Sequence, residues 1–262
     1  MAELNVVSWQ DHGAKRWQKP ASYAFAARDQ LVAVGLGEMA RLAVELPLAL
    51  ARSGAGYLPV VVLGFKPGSN LAVGADGRWL TDAVPLLLRS HPFRLARNAE
   101  GQFVLCVLAG SDLVTDGPDG TRFFDDERKP TADTSAIANA LMQLESDKLN
   151  FEKATTILAE HDAIEPWTFR VQEADGVATY DNVFRVNESK LNQLPAAALV
   201  ALRDCGGLVL AYTQLLSMQQ LPQLATLGAR RAAAAAPAAL PARQVAALAI
   251  SDDNGTLSFA NL

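Results

Sequence analysis

Histidine, the side chain that titrates nearest neutral pH and a common metal ligand, occurs three times in the 262 residues, at His12, His91 and His161. The three fall in a polar N-terminal stretch, before a proline and at the end of a helical pattern, so a histidine-built metal or proton-transfer centre is not expected. Cysteine is scarcer: Cys106 sits in Phe103-Val104-Leu105-Cys106-Val107-Leu108 and Cys205 in Asp204-Cys205-Gly206-Gly207-Leu208. Both read as small apolar residues in a reducing compartment rather than as a disulfide or a nucleophile. Neither C-x-x-C nor H-E-x-x-H occurs, and the Walker loop and the G-x-S-x-G elbow are missing, which removes the usual signatures of zinc, phosphoryl-transfer and acyl-transfer chemistry. No run approaches about 18 consecutive apolar residues, the length of a spanning helix. The greasiest stretch, Leu42 to Ala51, is broken by Glu45 and Pro47. Basic excess is absent too, since the net charge is −5, and nucleic acid is not an expected partner. The first twenty residues carry Glu3 and Asp11 with no apolar signal core. A cytoplasmic location is therefore expected, with export lacking an N-terminal signal as the alternative.

What is present supports a sizeable core: 50% of residues are apolar and 19% charged. The expected fold class is α+β, with a strand-rich N-terminal half, a mainly helical second half and a C-terminal β-hairpin tail. Residues 1–20 read as an N-terminal arm whose Trp9 and Trp17 pin it to the body, residues 21–229 as the globular domain, and residues 230–262 as an Ala/Pro-rich linker and hairpin. Regular structure is expected from Tyr23, with two short strands around Arg28-Asp29. A helix over Glu38–Leu46 is ended by Pro47, and a strand follows it. Leu58–Phe65, apolar and β-branched, reads as the central core strand. Asn70–Val73 reads as a strand before the Asp76-Gly77 turn, Pro85 opens a helix stopped at His91-Pro92, and Phe93–Ala96 pairs with Gln102–Leu108.

Gly110–Pro130, rich in Asp, Gly and Pro apart from Phe123-Phe124, reads as an exposed excursion or a linker between lobes. A long helical segment, continuous or broken, follows over Asp133–Asp162, with Asp133 as its N-cap. Strands at Thr168–Val171 and Asn182–Val186 pair around Asp175-Gly176, and helices follow from Pro195, from Leu208 and after Pro222. The alanines after Arg231 read as helical or, with Pro237 and Pro241, as an extended spacer, and are treated as a linker. Val245–Ile250 and Thr256–Phe259 form a hairpin through Asn254-Gly255. Such a hairpin is marginal alone, so it should dock on its own body or on a partner.

Three constellations bear on chemistry. Gly35-Leu36-Gly37-Glu38-Met39-Ala40 matches a dinucleotide-binding turn, which needs a following parallel strand ending in an acidic residue about twenty residues on. The next strand ends at Gly64-Phe65-Lys66, which does not supply it. Asp116, Asp119, Asp125, Asp126 and Glu127 cluster without the spacing of a calcium loop, and a solvated loop is the expectation. No metal and no cofactor is expected. Arg78, Trp79, Arg89, His91 and Arg94 form the candidate ligand-binding set, in which arginines clamp a carboxylate and Trp79 stacks a planar group.

The order of Tyr23-Ala24-Phe25-Ala26, Glu45-Leu46-Pro47, Leu63-Gly64, Asn70-Leu71, Asp76-Gly77-Arg78-Trp79, Pro85 and Arg89-Ser90-His91-Pro92-Phe93 resembles the bacterial SapC family, associated by name with surface-layer proteins. Phe124-Asp125, Pro130-Thr131, Leu191-Asn192-Gln193-Leu194-Pro195 and Ala211-Tyr212-Thr213-Gln214-Leu215-Leu216-Ser217 continue the likeness. It spans roughly residues 20–228, extends weakly to Asn254–Phe259, and carries no catalytic motif. His91 and Asp126-Glu127-Arg128 depart from the family pattern. The resemblance implies a shared fold and a surface-layer or envelope association. The peptide-transport permease of the same name is excluded by the absence of spanning runs. The functional expectation is a non-catalytic interaction or assembly protein, with a protein partner or self-association through the C-terminal tail. The alternative is a small-molecule-binding accessory protein or enzyme using the Arg/Trp-lined pocket for a carboxylate-bearing ligand.

Overall fold

Strands β1 (Leu4–Val6) and β2 (Arg16–Trp17) flank the short helix α1 (Trp9–His12) in a computed structural model that describes residues 3–54, 56–173, 176–235, 248–250 and 257–259. Next come β3 (Leu31–Ala33), α2 (Leu36–Ala43), β4 (Leu48–Ser53) and β5 (Gly56–Val62). The chain continues with α3 (Leu86–Arg89), β6 (Phe93–Arg97), β7 (Phe103–Leu108), β8 (Val114–Thr115) and β9 (Thr121–Arg122). Helix α4 (Ala132–Glu160) leads to β10 (Ile164–Glu173) and β11 (Gly176–Val186). Then follow α5 (Glu188–Asn192), α6 (Ala196–Asp204), α7 (Gly207–Ser217), α8 (Leu221–Ala235), β12 (Leu248–Ile250) and β13 (Leu257–Phe259). The α+β class and the concentration of helix in the second half are those expected.

The chain divides into two compact units, residues 1–21 with 85–147, and residues 22–84 with 148–262, the boundary between residues 147 and 148 falling inside α4. In the first unit, β1 pairs with β7 and β7 with β6, while β2 lies between β8 and β9. Regular structure thus begins at Leu4, not near Tyr23. The short N-terminal strands escape a periodicity reading because their partners, Cys106–Leu108 for β1 and the segments near residues 114 and 121 for β2, are distant in sequence. Trp17 is buried against Phe93, ring centroids 5.1 Å apart and nearly perpendicular. Phe123 packs on Phe93 and His12, so the Gly110–Pro130 segment is an excursion anchored by an aromatic pair and not a wholly exposed one. Leu141 and Leu144 of α4 close this core.

In the second unit the described strands form a sheet ordered β12-β13-β10-β11-β4-β5-β3. Val60, Val61 and Val62 of β5 and the following Leu63 are buried, as the apolar run predicts. Residues 24–26 form a single 3₁₀ turn in place of the first predicted strand, and Asn70–Val73 contributes only the bridge from Val73 to Trp79. Asn70 explains the latter: it is fully buried, its Nδ2 donates to Ala26 O and its Oδ1 accepts from Ala72 N, so the side chain takes the place of a strand neighbour.

Helix α4 is continuous. Its first turn is capped by Thr131, whose Oγ1 accepts from Thr134 N at 3.3 Å, and Asp133 lies one position inside the helix. Helix α8 takes in the alanines to Ala235, ahead of Pro237. The tail strands pair within the chain, β13 running parallel to β10 at Arg170↔Ser258 and Val171↔Phe259. The turns predicted at Asp175-Gly176 and Asn254-Gly255, and the Pro237–Pro241 stretch, involve residues outside those described. Among the described residues no single helix is long and apolar enough to cross a bilayer.

Candidate functional site

The five predicted ligand-binding residues divide between the two units, Arg78 and Trp79 in one and Arg89, His91 and Arg94 in the other. Arg78 is exposed and pairs with its neighbour Asp76 at 3.3 Å. Trp79 is half-buried, its Nε1 donating to Thr81 Oγ1 at 2.8 Å and Ala83 O at 3.0 Å. Glu45 reinforces the same loop, its Oε2 accepting from Asp82 N and Ala83 N. Trp79 is thus committed to shaping residues 79–83.

Around the cis His91–Pro92 peptide, Arg94 Nη1 donates to Phe93 O at 2.7 Å and Leu87 O at 3.3 Å, tying α3 to β6. Burial, and then the positive charge of Arg94, push His91 below its ordinary value of 6.5, so the imidazole is neutral at neutral pH. Arg89 is the exception in this set. It lies exposed at the end of α3, and among the described residues no ion pair holds it.

Arg89 lines a cleft of about 260 Å³ within the first unit, with Trp17, Lys19, Leu86, Ser90, Asp133, Ala136, Ile137 and Ala140. Asp133, Ala136, Ile137 and Ala140 stand at i, i+3, i+4 and i+7, one face of α4, and the two alanines leave the space. Trp17, Leu86 and Ile137 give the cleft its apolar wall, while Lys19, Arg89 and Asp133 are exposed. Trp17 is fixed by donating Nε1–H to Thr134 Oγ1 at 3.2 Å. Lys19, Ser90 and Asp133 were not among the predicted residues. Ser90 is the chain neighbour of Arg89, whereas only the packing of three sequence-distant segments brings Lys19 and Asp133 beside it.

The other candidate chemistry resolves into local structure. Gly35 N donates to Glu38 Oε1, which places a carboxylate at the N-terminus of α2, and β5 lies between β3 and β4 and pairs antiparallel with both, so the strands flanking α2 are not the adjacent parallel pair that the dinucleotide arrangement requires. Asp125 Oδ1 accepts from Lys129 N, and Asp126 pairs with Arg122 at 2.7 Å. Among the described residues no three His, Cys, Asp or Glu side chains converge as metal ligands. Cys106 and Cys205 are free thiols, and burial raises the pKa of Cys106.

A second surface stands out in the other unit. Helix α7, Gly-Leu-Val-Leu-Ala-Tyr-Thr-Gln-Leu-Leu-Ser, contains no charged residue, and Val209, Tyr212 and Leu216 are 53%, 45% and 72% exposed. Their spacing of three and four puts them on one face. Its opposite face is buried through Leu210, Ala211, Gln214 and Ser217. Helix α2 lies alongside in the same direction, since a side chain at Gly206 would meet Leu36 at one end and Ser217 Oγ accepts from Leu48 N at the other. Val44, 67% exposed at the end of α2, therefore lies toward the Leu216 end.

Compared with protein families, residues 7–224 match the model described as SapC. No curated protein and no solved structure matches the chain.

Proposed function

The chain belongs to the SapC family, and from that premise we propose that it is a non-catalytic interaction protein that assembles with a second copy of itself through the uncharged face of α7. The observation that carries this reading is the exposed stripe Val209, Tyr212 and Leu216. Apolar side chains clustered on one face leave water-exposed area that association would bury, and a tyrosine among them suits a contact surface. A second copy fits because a two-fold contact sets the same residues of both subunits against each other, and a face without charge brings no like charges together. The surface-layer or envelope association implied by the family resemblance supports assembly as the setting. Strand β13 pairs with β10 of its own chain and β12 with β13, so the reading rests on α7 and not on the tail.

Light scattering on the size-separated protein over a roughly hundredfold concentration range tests this by mass action. Wild type should move from monomer to dimer, and Leu216→Glu, which places a charge on each side of the two-fold contact, should remain monomeric with an unchanged melting temperature. A wild type that stays monomeric throughout, or a Leu216→Glu variant that dimerises equally well, would refute the proposal. So would a monomeric wild type that floats with lipid vesicles through this same face.

A further inference from the structure

We infer that the Arg89 cleft binds a small monocarboxylate with an apolar body, the carboxylate held by Arg89 and Lys19 and the body lying along Trp17, Leu86 and Ile137. All of these residues belong to the first unit, so the inference is independent of the α7 face. Three observations converge on this ligand chemistry. First, the cleft joins an apolar wall to a charged rim, the usual division between ligand burial and ligand orientation. Its volume of about 260 Å³ limits the occupant to a small molecule.

Second, the rim carries two cations and one carboxylate, Lys19, Arg89 and Asp133, a net charge of +1 that a single carboxylate neutralises. A dianion would bring surplus negative charge next to Asp133. Third, the predicted cations at Arg78 and Arg94 are engaged with Asp76 and with backbone carbonyls, whereas no ion pair among the described residues holds Arg89 or Lys19. A guanidinium offers a carboxylate two parallel N–H donors, which an ammonium alone does not. The apolar wall is fixed before binding, because Trp17 is packed edge-on to Phe93 and hydrogen-bonded to Thr134.

Saturation-transfer NMR and titration calorimetry on the full chain, with 3-phenylpropanoate, L-phenylalanine and succinate as probes, test the assignment. The expected result is that 3-phenylpropanoate binds most tightly of the three. Arg89→Gln should weaken it by about tenfold or more, consistent with the loss of a charge-assisted pair. Asp133→Asn should strengthen it by removing a like charge. Ala140→Leu should abolish binding by filling the cleft, and since Arg89 and Asp133 are exposed, those two variants should fold as wild type does. The inference is overturned if 3-phenylpropanoate shows no transfer at millimolar concentration, or if Arg89→Gln and Ala140→Leu bind it as wild type does. Tighter binding of L-phenylalanine, lost in Asp133→Asn, would overturn the monoanion assignment in favour of a zwitterion site. Tighter binding of succinate would overturn the charge argument.

Discussion

His12 and His91 are both held below 6.5 by burial, with the positive charge of Lys15 adding to the effect at His12 and that of Arg94 at His91. A histidine whose folded pKa is lowered binds fewer protons than its unfolded counterpart as pH falls through the unfolded value, so unfolding gains protons and stability decreases. Stability should therefore decline as pH drops below 6.5 toward the lowered folded values. Denaturant titrations at closely spaced pH should show this slope, and His91→Gln should make it shallower; an unchanged slope would contradict a neutral, half-buried His91. The same scale explains why the residues carrying the family resemblance speak of fold and not of activity. Asn70 bonds to the backbone at Ala26 and Ala72, Trp79 to Thr81 and Ala83, and Asp125 to Lys129 N. Arg78 and Arg94 were legible as cations, but the sequence could not show that Asp76 and two carbonyls already occupy them.

Helix α7 shows the same division along one element. While its outer face is apolar and exposed, its inner face sends Gln214 and Ser217 into the junction of β4 and β11, where the two strands share the single pairing Phe184↔Leu50. Gln214 Oε1 accepts from Val186 N at 2.9 Å and its Nε2 donates to Leu48 O at 3.1 Å, while Ser217 Oγ accepts from Leu48 N at 2.8 Å. The side chains thus supply hydrogen bonds between strands that have diverged. Gln214→Leu would leave Val186 N and Leu48 O unsatisfied in the core and should cost about 2–4 kcal/mol in urea unfolding, whereas Leu216→Gln on the outer face should stay within about 0.5 kcal/mol of wild type. Both residues stand in the motif Ala211 to Ser217. Its helical character was legible from spacing, but which positions face the sheet depends on the strands that α7 meets. Most of the longer elements, the core strand β5, the β6–β7 hairpin and α4 among them, were legible because each repeats its apolar pattern over several residues. The two-residue strands β2, β8 and β9 are too short to repeat anything.

For the molecule as a whole, the proposed assembly is carried by apolar area, not ion pairs, and ionic strength should hardly affect it. The dimerisation constant should change by less than about twofold between roughly 50 and 500 mM NaCl in sedimentation velocity, since screening acts on charge and α7 has none on the contact face. A steep loss of association in salt would assign the contact to another surface. What the sequence determined by itself is the class of fold and the alternation of strands and helices, because periodicity, turn residues and proline act over a few neighbouring positions, while the likeness to the family was carried by the order of its motifs. The tertiary structure alone decided which distant segments meet: β1 with β7, β2 between β8 and β9, and β11 beside β4. It also decided the composition of the cleft, where Arg89 stands with Lys19 and Asp133. The physical reason is the same in each case. Local pattern fixes which face of an element is apolar, but the choice of which apolar faces pair is made by packing, and side chains far apart in sequence become neighbours only through that choice.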